Sequence, residues 1–174
     1  MEVLFVAPDL RRLDELKSEA LALAFFEDER PLRGPLGLID FRLCGQLSRL
    51  LLRGRACGAR GETVLVPTRP RLPFEKLFLF GAGPSDSLDL ARFDEIVERM
   101  LATLDRARVR ASVLGLPGRT GDRIGPVQAM EVFLARAAAH PEQDQVTLIE
   151  DTDAQRVMTP VVERERRRVR AQID

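Results

Sequence analysis

The chain has no tryptophan, no tyrosine and one histidine, His140. It has two cysteines, and only two of its 27 basic residues are lysine, Lys17 and Lys76. Each scarcity narrows the chemistry. Without indole or phenol rings, stacking on bases or nucleosides falls to phenylalanine or arginine. A single histidine leaves a histidine-based zinc cluster without ligands and a Ser/His/Asp triad with almost no material. Its setting, Ala139-His140-Pro141, reads as a solvent-facing helix terminus favoured by the helix dipole. Cys44 falls within a helical apolar pattern and reads as a small core hydrophobe, and Cys57 falls in the loop after it. Two such thiols fit a reduced compartment, with no disulfide framework. No apolar run approaches the length of a membrane span. The start, Met1-Glu2-Val3-Leu4, lacks the basic residues of a signal peptide, so the expected address is the cytoplasm. Formal net charge is zero, so no global field draws DNA, anionic lipid or acidic substrates. Membrane and nucleic acid are not expected partners, and the arginine excess is read as compositional bias.

What is present is a globular composition, 45% hydrophobic and 31% charged over 174 residues, enough for one domain (1–174) with a real core. Val3 to Val6 reads as a buried strand, and Asp9 as the cap of a short helix through Lys17. Ala20 to Phe26 reads as a strand, and Gly34, Pro35 and Gly37 as a loop. An amphipathic helix follows to Leu52, ended by Gly54. Thr63–Pro67 and Lys76–Phe80 are too close in sequence for a helical crossover and are expected as an antiparallel pair. Ser87 or Asp89 can cap a helix with the stripe Leu90, Phe93, Ile96, Val97, Met100, Leu101 and Leu104. A strand at Ala111–Leu116, a helix at Pro126–Ala139, a strand at Val146–Ile149 and a helix at Asp153–Arg170 complete the order. Strands alternating with helices, plus one hairpin, predict an α/β three-layer domain with a mixed sheet.

The stretch with most chemical promise is Gly115-Leu-Pro-Gly-Arg-Thr-Gly-Asp-Arg-Ile-Gly125, lying between a strand and a helix. The carboxyl edge of an α/β sheet commonly holds a ligand there. Glycines let backbone N–H groups approach a phosphate, and a helix N-terminus adds positive potential. Gly118, Arg119, Thr120, Gly121, Arg123 and Gly125 are therefore the candidate ligand-binding residues, with Asp122 a discordant negative charge. The rival reading is a turn that binds nothing. Gly81-Ala82-Gly83-Pro84 is a proline-closed turn that needs no ligand. In the C-terminal helix, Glu163 and Glu165 interrupt the arginines from Arg164 to Arg170, which reads as a solvated face. Val157, Val161, Val162 and Val169 form an apolar stripe on the same helix.

The segment from Phe25 to Thr68, FFEDERPLRGPLGLIDFRLCGQLSRLLLRGRACGARGETVLVPT, resembles the N-terminal domain of the M17 leucyl aminopeptidases. That resemblance implies a macrodomain-like α/β/α fold. It also implies a role in assembly or partner contacts, because the family cleaves peptides with a separate metallopeptidase domain. In macrodomains a glycine-rich loop at this topological place cradles the diphosphate of ADP-ribose, so the resemblance also implies a possible nucleotide ligand at residues 118–125. Asp151-Thr152-Asp153-Ala154-Gln155-Arg156 echoes the family's metal-binding motif, but Gln155 stands where the liganding glutamate belongs and cannot supply its charge. No catalytic residue, metal ligand or cofactor is expected. The expectation is a stand-alone, non-catalytic domain that meets a protein partner or copies of itself. Two alternatives are an ADP-ribose-type binder, and the N-terminal part of a metal-dependent aminopeptidase whose catalytic domain is missing here.

Overall fold

The computed structural model describes residues 1–68 and 70–171. Six strands form one sheet: β1 (Glu2–Val6), β2 (Ala20–Phe25), β3 (Thr63–Val66), β4 (Lys76–Gly81), β5 (Ala111–Gly115) and β6 (Gln145–Ile149). Their spatial order is β1-β6-β5-β2-β4-β3. Every neighbouring pair is parallel except β3 and β4, which form the expected antiparallel hairpin. A largely parallel sheet must be covered on both faces, and two separate apolar cores cover this one.

The central strand β2 shows how alternation builds the layers. Ala20 and Ala22 face one side, leaving room for Phe78, Phe80, Phe93 and Phe133. That layer is closed by α4 (Leu90–Arg106), α5 (Pro126–Ala137) and α6 (Thr152–Arg170). Leu21, Leu23 and Phe25 face the other side, against α1 (Leu10–Asp14), α2 (Gly34–Arg42) and α3 (Gln46–Leu52). Phe93, Ile96, Val97, Met100, Leu101 and Leu104 of α4 are all buried, as their spacing predicts, while Leu90 remains exposed. The caps of α1, α4 and α6 are Asp9, Asp89 and Asp151, each accepting backbone N–H hydrogen bonds from the first turn.

Several expectations about the elements need correction, among them the first helix, which ends at Asp14 and not Lys17. The helix expected to run to Leu52 is two helices, broken where Cys44 (φ 54°) and Gly45 (φ 74°) turn left-handed. Buried Asp40 caps the second, accepting from Leu47 N (2.8 Å), Ser48 N (3.2 Å) and Ser48 Oγ (2.5 Å). The apolar spacing continues across the break and hides it. Cys44 is therefore exposed, not a core residue. Gly34, Pro35 and Gly37 belong to α2, whose first turn tolerates the proline. Of the valine stripe of α6, which could pack on the sheet or meet a partner, Val161 and Val162 are buried and Val157 and Val169 are exposed.

Candidate functional site

Because β1, β2, β4, β5 and β6 run parallel, their carboxyl ends share one edge of the sheet. The loop joining β5 to α5 lies there beside the loop joining β2 to α2. The backbone of the β5–α5 loop is turned by Gly118 (φ 69°), Gly121 (φ 88°) and Asp122 (φ 52°). Glycine is favoured at 118 by the positive φ, and a side chain there would also push Leu88 aside. Gly125 caps α5 with its backbone alone.

Several amides that might have faced an anion are used by the loop itself. Arg123 N and Ile124 N donate to Gly118 O (2.9 and 3.3 Å), and Asp122 N donates to Arg119 O (3.2 Å). Arg119 does not project from the crest. Its side chain, 6% exposed, turns inward to pair with Glu150, 3% exposed, through Nε–Oε1 (3.0 Å) and Nη2–Oε2 (3.1 Å). Its Nη1 donates to Ile124 O (2.5 Å) and to Asp122 Oδ1 (3.1 Å). Asp122, discordant in a phosphate cradle, is thus a partner for a structural guanidinium. Burial pushes the Glu150 carboxyl above its usual range, against the opposing pull of Arg119. Thr120, Gly121 and Arg123 are exposed.

Between the two loops lies a crevice lined by Phe26, Glu29, Arg33, Gly115, Gly118 and Thr120, among others. Thr120 leans over Gly34, where any Cβ would strike its hydroxyl. About 30 Å³ remains free. Glu29 is half-buried here, and burial raises its carboxyl above the usual range. Asp28 beside it stays below that range because Ser85 donates from Oγ (2.7 Å) and N (2.9 Å).

The other glycine turn is consumed in backbone packing. Gly83 N donates to Gly58 O (2.8 Å), Ala82 N to Phe25 O (2.9 Å) and Glu27 N to Gly83 O (3.0 Å). Glu62, which sequence reading passed over, accepts from Gly58 N (2.6 Å) and Cys57 N (3.1 Å) with its carboxylate.

His140 is buried rather than solvent-facing. It lies between two carboxylates of α4, with Nδ1 2.5 Å from Asp105 Oδ2 and Nε2 3.3 Å from Glu98. Burial opposes its charge, but the hydrogen bonds and charges of Asp105 and Glu98 outweigh burial and raise its pKa. Gln143, fully buried, ties Asp105 to Val109 O. Among the described residues no group of three or more His, Cys, Asp or Glu could hold a metal ion. The segment from Asp151 to Arg156 is the capped start of α6. Of the arginines in that helix, Arg164 pairs with Glu131 (2.8 Å), Arg168 with Glu165 (3.2 Å), and Arg166 donates to Val3 O (3.4 Å). Among the described residues, no helix is long and apolar enough to cross a membrane.

Similar proteins fit this architecture. A macrodomain of Trypanosoma brucei, solved in complex with ADP-ribose, superposes with a TM-score of 0.74 at 15% identity, covering 92% of this chain and 69% of that one. Tomato leucine aminopeptidase (K354E mutant) gives a TM-score of 0.62 at 14% identity, covering 91% of this chain and 35% of that enzyme. In sequence, a probable cytosol aminopeptidase of Thermosynechococcus vestitus is 32% identical over 124 residues, 68% of this chain and 24% of that protein. The chain thus spans about a quarter of the length of such relatives. The sequence profile of the cytosol aminopeptidase family, N-terminal domain, matches residues 22–138, and the chain belongs to that family through this macrodomain-like domain.

Proposed function

We propose that this chain is a non-catalytic cytoplasmic module that works through protein contacts, in its own assembly or with a partner. The observation that carries this reading is the filled crest. About 30 Å³ is free between the β2–α2 and β5–α5 loops, whereas small-molecule pockets run to roughly 300–1,000 Å³. A nucleotide diphosphate would have to lift Thr120 from Gly34, share the crevice with Glu29, and do without the Arg119 guanidinium. The matched family segment is the N-terminal domain alone, which supports the absence of peptidase chemistry from these residues.

An ADP-ribose-type binder at Gly118 to Gly125 is the second reading, favoured by the placement of that loop between a parallel strand and a helix. Thermal unfolding with millimolar ADP-ribose, NAD, ATP and phosphate separates the two, alongside sedimentation of the free chain. Ligand at about 100 times its dissociation constant adds roughly 2.7 kcal/mol, worth several degrees at this size. A defined oligomer with an unmoved midpoint is the expected result. A monomer stabilised by ADP-ribose alone reverses the order of the readings, and cleavage of leucyl substrates with added zinc or manganese overturns the non-catalytic one.

A further inference from the structure

Between Phe41 and Gly61 the sequence has five arginines and no aspartate or glutamate. The fold gathers most of that charge on one surface. Arg49 and Leu52 of α3 and Arg53, which caps its C-terminus, are exposed and stand at i, i+3 and i+4, so they share a face. Arg49 Nη1 donates to Cys44 O (2.7 Å), and Arg71 Nη1 lies 3.0 Å from Cys44 Sγ, which puts both guanidiniums beside the break between α2 and α3. There the surface forms a bowl of about 720 Å³ lined by Gly37, Asp40, Phe41, Arg42, Cys44 and Arg71, among others, with the Asp40 carboxylate already taken up by Leu47 N and Ser48 Oγ. Arg42 is paired with Asp14. Arg49, Arg53, Arg55 and Arg71 have no carboxylate partner among the described residues. Phe41 and Leu52 are 74% and 86% exposed, the two most exposed large apolar side chains on the described surface.

We propose that this α2–α3 face docks an acidic peptide segment of a partner protein, one that carries apolar anchors among its carboxylates. The inference rests on the protein-contact role proposed above and names the surface that performs it. The guanidiniums of Arg49, Arg53 and Arg71, without counter-charges, are matched by a segment rich in Asp and Glu, with which arginine forms bidentate hydrogen bonds. Exposed aromatic and aliphatic side chains set among arginines have the composition of an interface centre. A bilayer fits less well, because the surface is concave and α3 has only seven residues to lay along it.

The test is a fluorescence-anisotropy titration of the full chain with a labelled peptide of glutamates carrying leucine or phenylalanine at every third or fourth position. Saturable binding is expected, weakened about tenfold or more by Arg49→Glu with Arg71→Glu, weakened severalfold by Leu52→Ala, and lost when glutamine replaces the glutamates. In a Cys57→Ser background the peptide should also slow alkylation of Cys44, which locates it in the bowl. Equal affinity of wild type and the double-arginine variant overturns the proposal. So does preferential binding of phosphatidylserine vesicles or single-stranded oligonucleotide at this face. Self-association that persists in the double variant, with no peptide bound by wild type, sinks this face while leaving the assembly role standing.

Discussion

Arg119 and Glu150 set two opposite charges beneath the crest, and neither can lose the other without penalty. Removing one member of a buried pair costs ~3–5 kcal/mol, because the survivor stays desolvated, Arg119 with only the exposed Asp122 carboxylate left to it and Glu150 with no counter-charge. The two survivors are not alike. Arginine cannot shed its proton, whereas Glu150, already pushed up by burial, can take one. Urea titrations should therefore find Glu150→Ala the worse of the two at neutral pH. The Arg119→Ala variant should gain stability as pH falls and Glu150 protonates. His140 works in the same direction. Its pKa is raised in the fold by Asp105 and Glu98, so its contribution is complete below its unfolded value of ~6.5 and is lost as pH rises through the folded value. His140→Gln should remove that slope, read as the difference in midpoint between acidic and alkaline buffers. Neither partnership shows in the sequence. Arg119 and Glu150 are 31 positions apart and His140 and Asp105 are 35 apart, and no local pattern joins residues at such distances.

Elements were legible where apolar periodicity is strong and capped. The α4 stripe, the β3–β4 hairpin and the cap Asp9 follow from spacing and residue type alone, and of the two caps open to α4, Ser87 and Asp89, the structure uses Asp89. The break between α2 and α3 did not show, because Leu43, Leu47 and Leu50 hold a helical rhythm through it. What breaks the helix is the left-handed turn at Cys44 and Gly45, sealed by the Asp40 carboxylate. Asp40→Ala should cost about 1–3 kcal/mol, since it leaves Leu47 N and other donors unsatisfied. Phe41→Ala next to it should leave the midpoint within about 0.5 kcal/mol, as exposed substitutions do. Thermal melts of the two side by side check this, and an equal loss from both would mean that Phe41 packs more than its exposure suggests. The glycine loop was legible in conformation and place. That its arginine points inward was not, because glycine spacing says where a backbone bends and nothing about where a neighbouring side chain ends.

At the scale of the whole molecule, the stretch matched to the family, residues 22–138, omits β1 and β6. Those two strands pair with each other, and β6 alone joins them to β5. A fragment limited to the matched residues would open the edge of β5 and strip Val146, Leu148 and Met158 from the core. It should show no cooperative unfolding transition and should bind a hydrophobic dye such as ANS, as a loosely packed state does. A sharp melt would show instead that the four remaining strands are self-sufficient. The same topology governs the order of events during synthesis. Val3 and Val6 leave the ribosome early, but their strand partner, Val146 to Ile149, is made some 140 residues later, on the order of 10 s afterwards at ordinary elongation rates. Throughout that interval the first strand is an unmatched apolar ribbon, available to chaperones and to the β1 of a neighbouring nascent chain. Slowing translation ahead of Gln145 should therefore lower the soluble yield more than the same delay placed after Ile149.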